Sequence, residues 1–123
     1  MKDFIKNQDN YKYGLFCEFL MVFKMMFFGF LPVKHRYKVK TGEVDIIMRR
    51  FNEIVFLEVK GRRNSILDYD SVVFRSQWDR ILKTADYFVQ QNPQYSNFKR
   101  RFDIVIFEEG KLTPIHIKNV SVW

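Results

Sequence analysis

A chain of 123 residues with 47% hydrophobic and 18% aromatic side chains carries enough apolar surface for one packed domain over residues 1–123, which excludes a disordered tail. Twenty-one Lys and Arg against fourteen Asp and Glu, a formal net charge of +7, favour nucleic acid or an anionic surface as partner. The single cysteine, Cys17, excludes an internal disulfide and fits a reducing compartment such as the cytoplasm.

Residues 1–10 are polar, are expected to fray, and end at Asp9 and Asn10, either of which can cap a helix. From Tyr11 to Phe28 the chain is strongly apolar and, Val22 apart, lacks β-branched residues, which predicts a helix of about five turns. A membrane span or signal peptide is the competing reading. Glu18 and Lys24 interrupt the run and no small-residue cleavage site follows, so a helix covered by the sheet or by a partner subunit in a homodimer is expected instead. Glu18 is then an acid on a buried helix, either near its edge or part of a site. Cys17 reads as a small core residue.

Gly29 ends this helix, and Pro32 opens an extended segment, Val33 to Lys40, carrying Lys34, His35, Arg36, Lys38 and Lys40. Such a strand is an edge protected by lysine or a ridge facing phosphate; the residues alone leave both open.

Gly42 to Arg63 is the centre of the chain. Ile46, Ile47 and Met48 lead into the polar break Arg49 to Glu53, and Ile54 to Leu57 lead out, the pattern of a β-hairpin. With the turn centred between Phe51 and Asn52, residues whose numbers sum to 103 face each other. Asp45 then lies opposite Glu58, and Lys60 shares the face of Glu58. Ile47, Ile54 and Phe56 fill the turn end of that face, and Glu43 joins the polar end. The other face, Val44, Ile46, Met48, Val55, Leu57 and Val59, is apolar and suited to pack on a helix. Two carboxylates this close bind a hard cation such as Mg²⁺ or Mn²⁺, and a neighbouring ammonium completes the equipment for phosphodiester hydrolysis. The plainer alternative is a solvated strand face with a surface Glu58–Lys60 pair worth about 0–1 kcal/mol.

Gly61 to Asp70 is a polar loop with Arg62 and Arg63 placed to fork a phosphate. Ser71 opens a second helix to Gln91, with Val73, Trp78, Ile81, Leu82, Ala85 and Val89 as its apolar stripe and Asn92-Pro93 as its stop. Trp78 in that stripe reads as core before it reads as a base-stacking platform. A final hairpin, Phe102 to Phe107 and Leu112 to Lys118, turns at Glu109-Gly110. Asp103 and His116 interrupt it, and the lone histidine reads as structural.

The order helix, three strands, helix, two strands, with Asp45 and Glu58-Val59-Lys60 in the second and third strands, resembles the PD-(D/E)XK nuclease superfamily. More narrowly the chain resembles the YraN family of bacterial proteins similar to Holliday junction resolvases. The residues that carry the likeness run from Gly14 with Cys17-Glu18, through Gly29, to Gly42-Glu43-Val44-Asp45-Ile46-Ile47. Val55 to Lys60 with Arg62, and Arg101-Phe102-Asp103, complete it. The resemblance implies an α/β restriction-endonuclease-like core with a mixed sheet flanked by helices. It implies Asp45 and Glu58 as metal ligands, Glu18 as a third acid brought to the metal, and Lys60 as the catalytic lysine. Val44 stands where the superfamily pattern has proline, and Gln77 where many members carry lysine on the second helix. Two functional expectations follow: a Mg²⁺-dependent nuclease acting on branched or damaged DNA, gripped by Arg36, Lys38, Lys40, Arg62, Arg63 and Gln77, or a nucleic-acid-binding module that keeps the fold and cleaves little.

Overall fold

The computed structural model describes residues 2–62, 75–108 and 113–120. Its elements are α1 (Lys2–Phe27), β1 (Leu31–Val39), β2 (Gly42–Arg50), β3 (Glu53–Arg62), α2 (Arg75–Gln91), β4 (Lys99–Glu108) and β5 (Ile115–Ile117), with a 3₁₀ turn at Pro93–Tyr95. The strands form one sheet in the order β1-β2-β3-β4-β5. β3 and β4 are parallel, joined by the crossover through α2, and every other pair is antiparallel. This is the mixed sheet with flanking helices, in the order α-β-β-β-α-β-β, that the sequence implies.

α1 begins at Lys2, so residues 2–10 continue the helix rather than fray before a cap at Asp9 or Asn10. It ends as expected at glycine. Gly29 takes φ 94°, its N–H donates to Met26 O, and Phe30 N–H reaches back to Met25 O, a Schellman closure that satisfies the last carbonyls. Cys17, Met21 and Met25, spaced four apart, form the stripe that packs on Ile46, Met48, Val55 and Leu57. The sheet covers only that stripe. Phe16, Phe23 and Phe27 on the remaining face are exposed, so of the two covers expected for this helix the sheet supplies one for that stripe alone. Burial pushes the Cys17 thiol up, as befits a core residue.

The opposite face of the sheet packs against α2. Ile81, Ala85, Phe88 and Val89 meet Ile47, Ile54, Phe56 and Phe102, while Trp78 and Leu82 pack at the margin, so Trp78 belongs to the core side. The proposed start of this helix at Ser71, with Val73, lies outside the described residues. β5 is shorter than the expected Leu112 to Lys118: Pro114, just before it, has no N–H to give a ladder, and only Ile115–Ile117 pairs with β4. The expected turn at Glu109-Gly110 lies outside the described residues.

Gly42 brings the β1–β2 turn hard against α2. Its φ is +154°, and a Cβ there would stand 3.0 Å from Thr84 Oγ1 and 3.2 Å from Arg80 Cβ. Thr84 is fully buried, donates to Arg80 O and shares a hydrogen bond with Thr41, so it has no room to retreat. Gly42→Ala should therefore cost about 1–3 kcal/mol in a denaturant titration. An unchanged midpoint would show that α2 yields there.

Candidate metal and phosphate site

The hairpin register is the one the sequence predicts. Pairs run from Arg50↔Glu53 to Ile46↔Leu57, each summing to 103, around a tight turn in which Phe51 takes φ 54°. Asp45 and Glu58 are next in that register, but backbone pairing between β2 and β3 stops one step before them. β3 nevertheless continues alongside β4 as far as Arg62↔Glu108. The sheet therefore forks between β2 and β3, and the acids stand at the fork.

Two local events open it. Asp45 Oδ2 accepts the Val59 N–H at 2.8 Å, so a side chain substitutes for the missing backbone bond. On the other flank Arg36, with φ 54°, falls unpaired between His35↔Ile46 and Tyr37↔Val44. The alternation of β2 is broken at this point: Val44 joins the α2 core although Ile46, two residues on, joins the α1 core. The expectation that Val44 shares the face of Ile46 and Met48 is thus corrected, because period-two alternation holds only through a regular ladder.

The fork opens into a cleft of about 470 Å³. Asp45, Glu58 and Lys60 line it with Glu43; Lys38 of β1 and Lys40 of the turn after it form one rim, and Gln77 and Arg80 of α2 the other. Glu58 is buried, with Lys60 Nζ 3.8 Å from its Oε2 and, among the described residues, no hydrogen-bond partner for its buried Oε1. Burial, followed by the nearness of Asp45, pushes the Glu58 carboxyl up to about 8. Burial likewise raises Asp45, to about 6, against the Val59 hydrogen bond that lowers it. Like charges in a dry cleft hold protons unless a cation replaces them.

Glu18, the third acid, is directed elsewhere. Arg36 Nη2 donates to its Oε2 at 2.9 Å and Arg36 Nε to its Oε1 at 3.2 Å, and His35 Nε2 lies 2.9 Å from the same Oε1. Its charge is felt at Asp45. Among the described residues no group of three metal-ligating side chains comes together. Arg36 thus serves Glu18 and does not line the cleft. Arg62 closes β3 opposite Glu108, and Arg63 lies outside the described residues. Arg80 is a charged cleft residue that the sequence does not single out; it follows Gln77 by about one helical turn, and that spacing is its only signal.

The raised carboxyls make stability depend on pH. Between about pH 4 and pH 8 the metal-free folded chain keeps protons that the unfolded chain has shed, so its stability is full below that window and is lost as pH rises through it. In EDTA the melting temperature should fall from pH 5 to pH 8.5, and Glu58→Gln should flatten the decline. Identical pH profiles for the two proteins would remove Glu58 from this account.

The mixed five-stranded sheet, one helix on each face and acids at a forked hairpin define a restriction-endonuclease-like α/β domain. Residues 25–107 match the uncharacterised protein family UPF0102, and the chain belongs to that family, the YraN family. It is 30% identical over 116 residues to a UPF0102 protein of Chelativorans sp., covering 94% of this chain and 92% of that one. A UPF0102 protein of Mesorhizobium japonicum is 30% identical over 112 residues, covering 91% and 88%. A UPF0102 protein of Acinetobacter baylyi is 37% identical over 81 residues, 65% of this chain, and the match spans only 58% of that protein's length. Among the described residues no helix is long and apolar enough to cross a membrane.

Proposed function

We propose that this protein is a Mg²⁺- or Mn²⁺-dependent nuclease that hydrolyses phosphodiester bonds in DNA, branched or damaged DNA included. The observation that carries the reading is the buried Glu58 Oε1, without a partner among the described residues, in a cleft shared with Asp45 and Lys60. An orphaned carboxylate oxygen beside a second carboxylate is a donor set for a hard divalent cation. Two carboxylates suit Mg²⁺, which keeps several of its own waters. The chemistry such an ion supplies is polarisation of a phosphoryl oxygen and activation of water. Asp45 and Glu58 hold the ion, Lys60 meets the charge that develops on the phosphate, and Lys38, Lys40 and Arg80 draw the backbone to the cleft rim. Gln77 lies where it can touch the same strand.

A second reading, a nucleic-acid-binding module that cleaves little, is favoured by one observation: both oxygens of Glu18 are already held by Arg36 and His35, which withholds from the metal the third acid that the resemblance implies. Calorimetric titration of Mg²⁺ and Mn²⁺ tests the common ground. Wild type should bind one ion that Asp45→Ala and Glu58→Ala each abolish without unfolding the chain; undiminished binding in both variants removes the site.

A further inference from the structure

A second cavity, of about 400 Å³, lies on the α1 side of the sheet, remote from the cleft. Arg50 sits at the far end of β2 from Asp45, five residues and about 17 Å along the strand. The cavity is lined by Lys24 from the last turn of α1, Arg50, Arg101 at the start of β4, and His116 and Lys118 from β5 and just beyond. Met25, Phe28 and Phe30 supply its apolar wall. No acid lines it.

The cations are of two kinds. Arg101 and His116 are nearly buried and answer to acids behind the wall: Arg101 binds Asp103 and Glu53, and His116 Nε2 lies 2.8 Å from Asp103 Oδ2. Lys24, Arg50 and Lys118 meet no acid among the described residues. Arg50 is nonetheless fixed in place. Its Nη1 donates to Phe28 O at 2.9 Å and its guanidinium lies 4.2 Å from the centroid of the buried Phe30 ring, leaving Nε and Nη2 for another acceptor. A held guanidinium flanked by two uncommitted ammonium groups, in a cavity of small-molecule size with one apolar wall, is chemistry for a phosphate ester with an attached base.

We infer that this cavity is a second phosphate site, taking a nucleotide either free or as one unit of a strand. It is independent of the cleft and does not rest on the nuclease reading. Lys24→Gln with Lys118→Gln tests it, because both side chains are exposed and neither supports the core. Inorganic phosphate, adenosine monophosphate and a short single-stranded oligonucleotide are titrated in EDTA by calorimetry, with the backbone amide shifts of residues 24–30 followed by NMR. At least one of the three should bind with shifts at those residues, and the double variant should weaken it about tenfold or more. Lys38→Gln with Lys40→Gln, on the cleft rim, should leave the shifts at 24–30 in place. Saturation by phosphate or the mononucleotide assigns a free ligand, and saturation by the oligonucleotide alone assigns a strand. Absence of shifts at 24–30 with all three probes, or a loss under tenfold in the Lys24/Lys118 variant, overturns the inference whether or not the protein cleaves DNA.

Discussion

Asp103→Ala should destabilise the fold by about 3–5 kcal/mol, a large share of the stability of a domain this size. Asp103 is buried in the middle of the sheet and every partner it has is a donor. Arg101 Nε and Nη2 reach its two oxygens at 3.0 and 2.9 Å, His116 Nε2 lies at 2.8 Å, and the Asn119 N–H donates at 2.9 Å. Those hydrogen bonds from His116, Arg101 and Asn119 outweigh the cost of burial and hold its carboxyl below the usual range. Its contribution is therefore present above the unfolded carboxylate pKa and is lost as pH falls through the lower, folded one. Alanine leaves Arg101, itself largely buried, with Glu53 alone. Asparagine is no remedy, because its amide places N–H groups against N–H groups. Urea titration of Asp103→Ala and Asp103→Asn checks this, and a loss below about 1 kcal/mol in both would show that the network is ornamental.

That network also shows what the sequence could disclose. Asp103 and His116 are visible as polar interruptions of apolar strands, but their meeting depends on β4 and β5 pairing with Val105 opposite His116, a register that the residues of the two strands do not fix. The central hairpin was easier, since its two-residue turn and apolar runs admit one register, and that register brings Asp45 to Glu58. What remained hidden was the fork. Period-two alternation assigns Val44 to the α1 side, whereas it packs in the α2 core beside the positive φ of Arg36 and the bond from Val59 N–H to Asp45. Glu18 illustrates the same limit. An acid on an apolar helix announces a partner, yet nothing in the spacing says that His35 and Arg36, seventeen and eighteen residues on, take both of its oxygens.

Lys60→Ala separates the two functional readings, and the expected effect is a fall in cleavage of about 10²–10³, the order for losing one preorganised electrostatic group. Lys60 Nζ stands 3.8 Å from Glu58 Oε2 in a partly exposed position, near enough to act on a phosphate held at the cleft but supplying no oxygen to an ion. Its positive charge lowers the proton affinity of both Asp45 and Glu58, so its removal makes both carboxyls cling harder to protons. Metal affinity should nevertheless stay nearly unchanged in the variant, because the lost ammonium had repelled the cation as well as the protons that compete with it, and the higher pH strips those protons anyway. Cleavage measured at pH 8.5 with saturating Mg²⁺ isolates the chemical role of the ammonium from this indirect effect. A nuclease loses rate there and keeps its metal and DNA affinity. A binding module shows no metal-dependent cleavage of duplex, single-stranded or four-way-junction DNA to begin with, and Lys60→Ala then alters affinity alone. Wild-type protein that binds its ion, binds DNA and leaves all three substrates intact decides for the module.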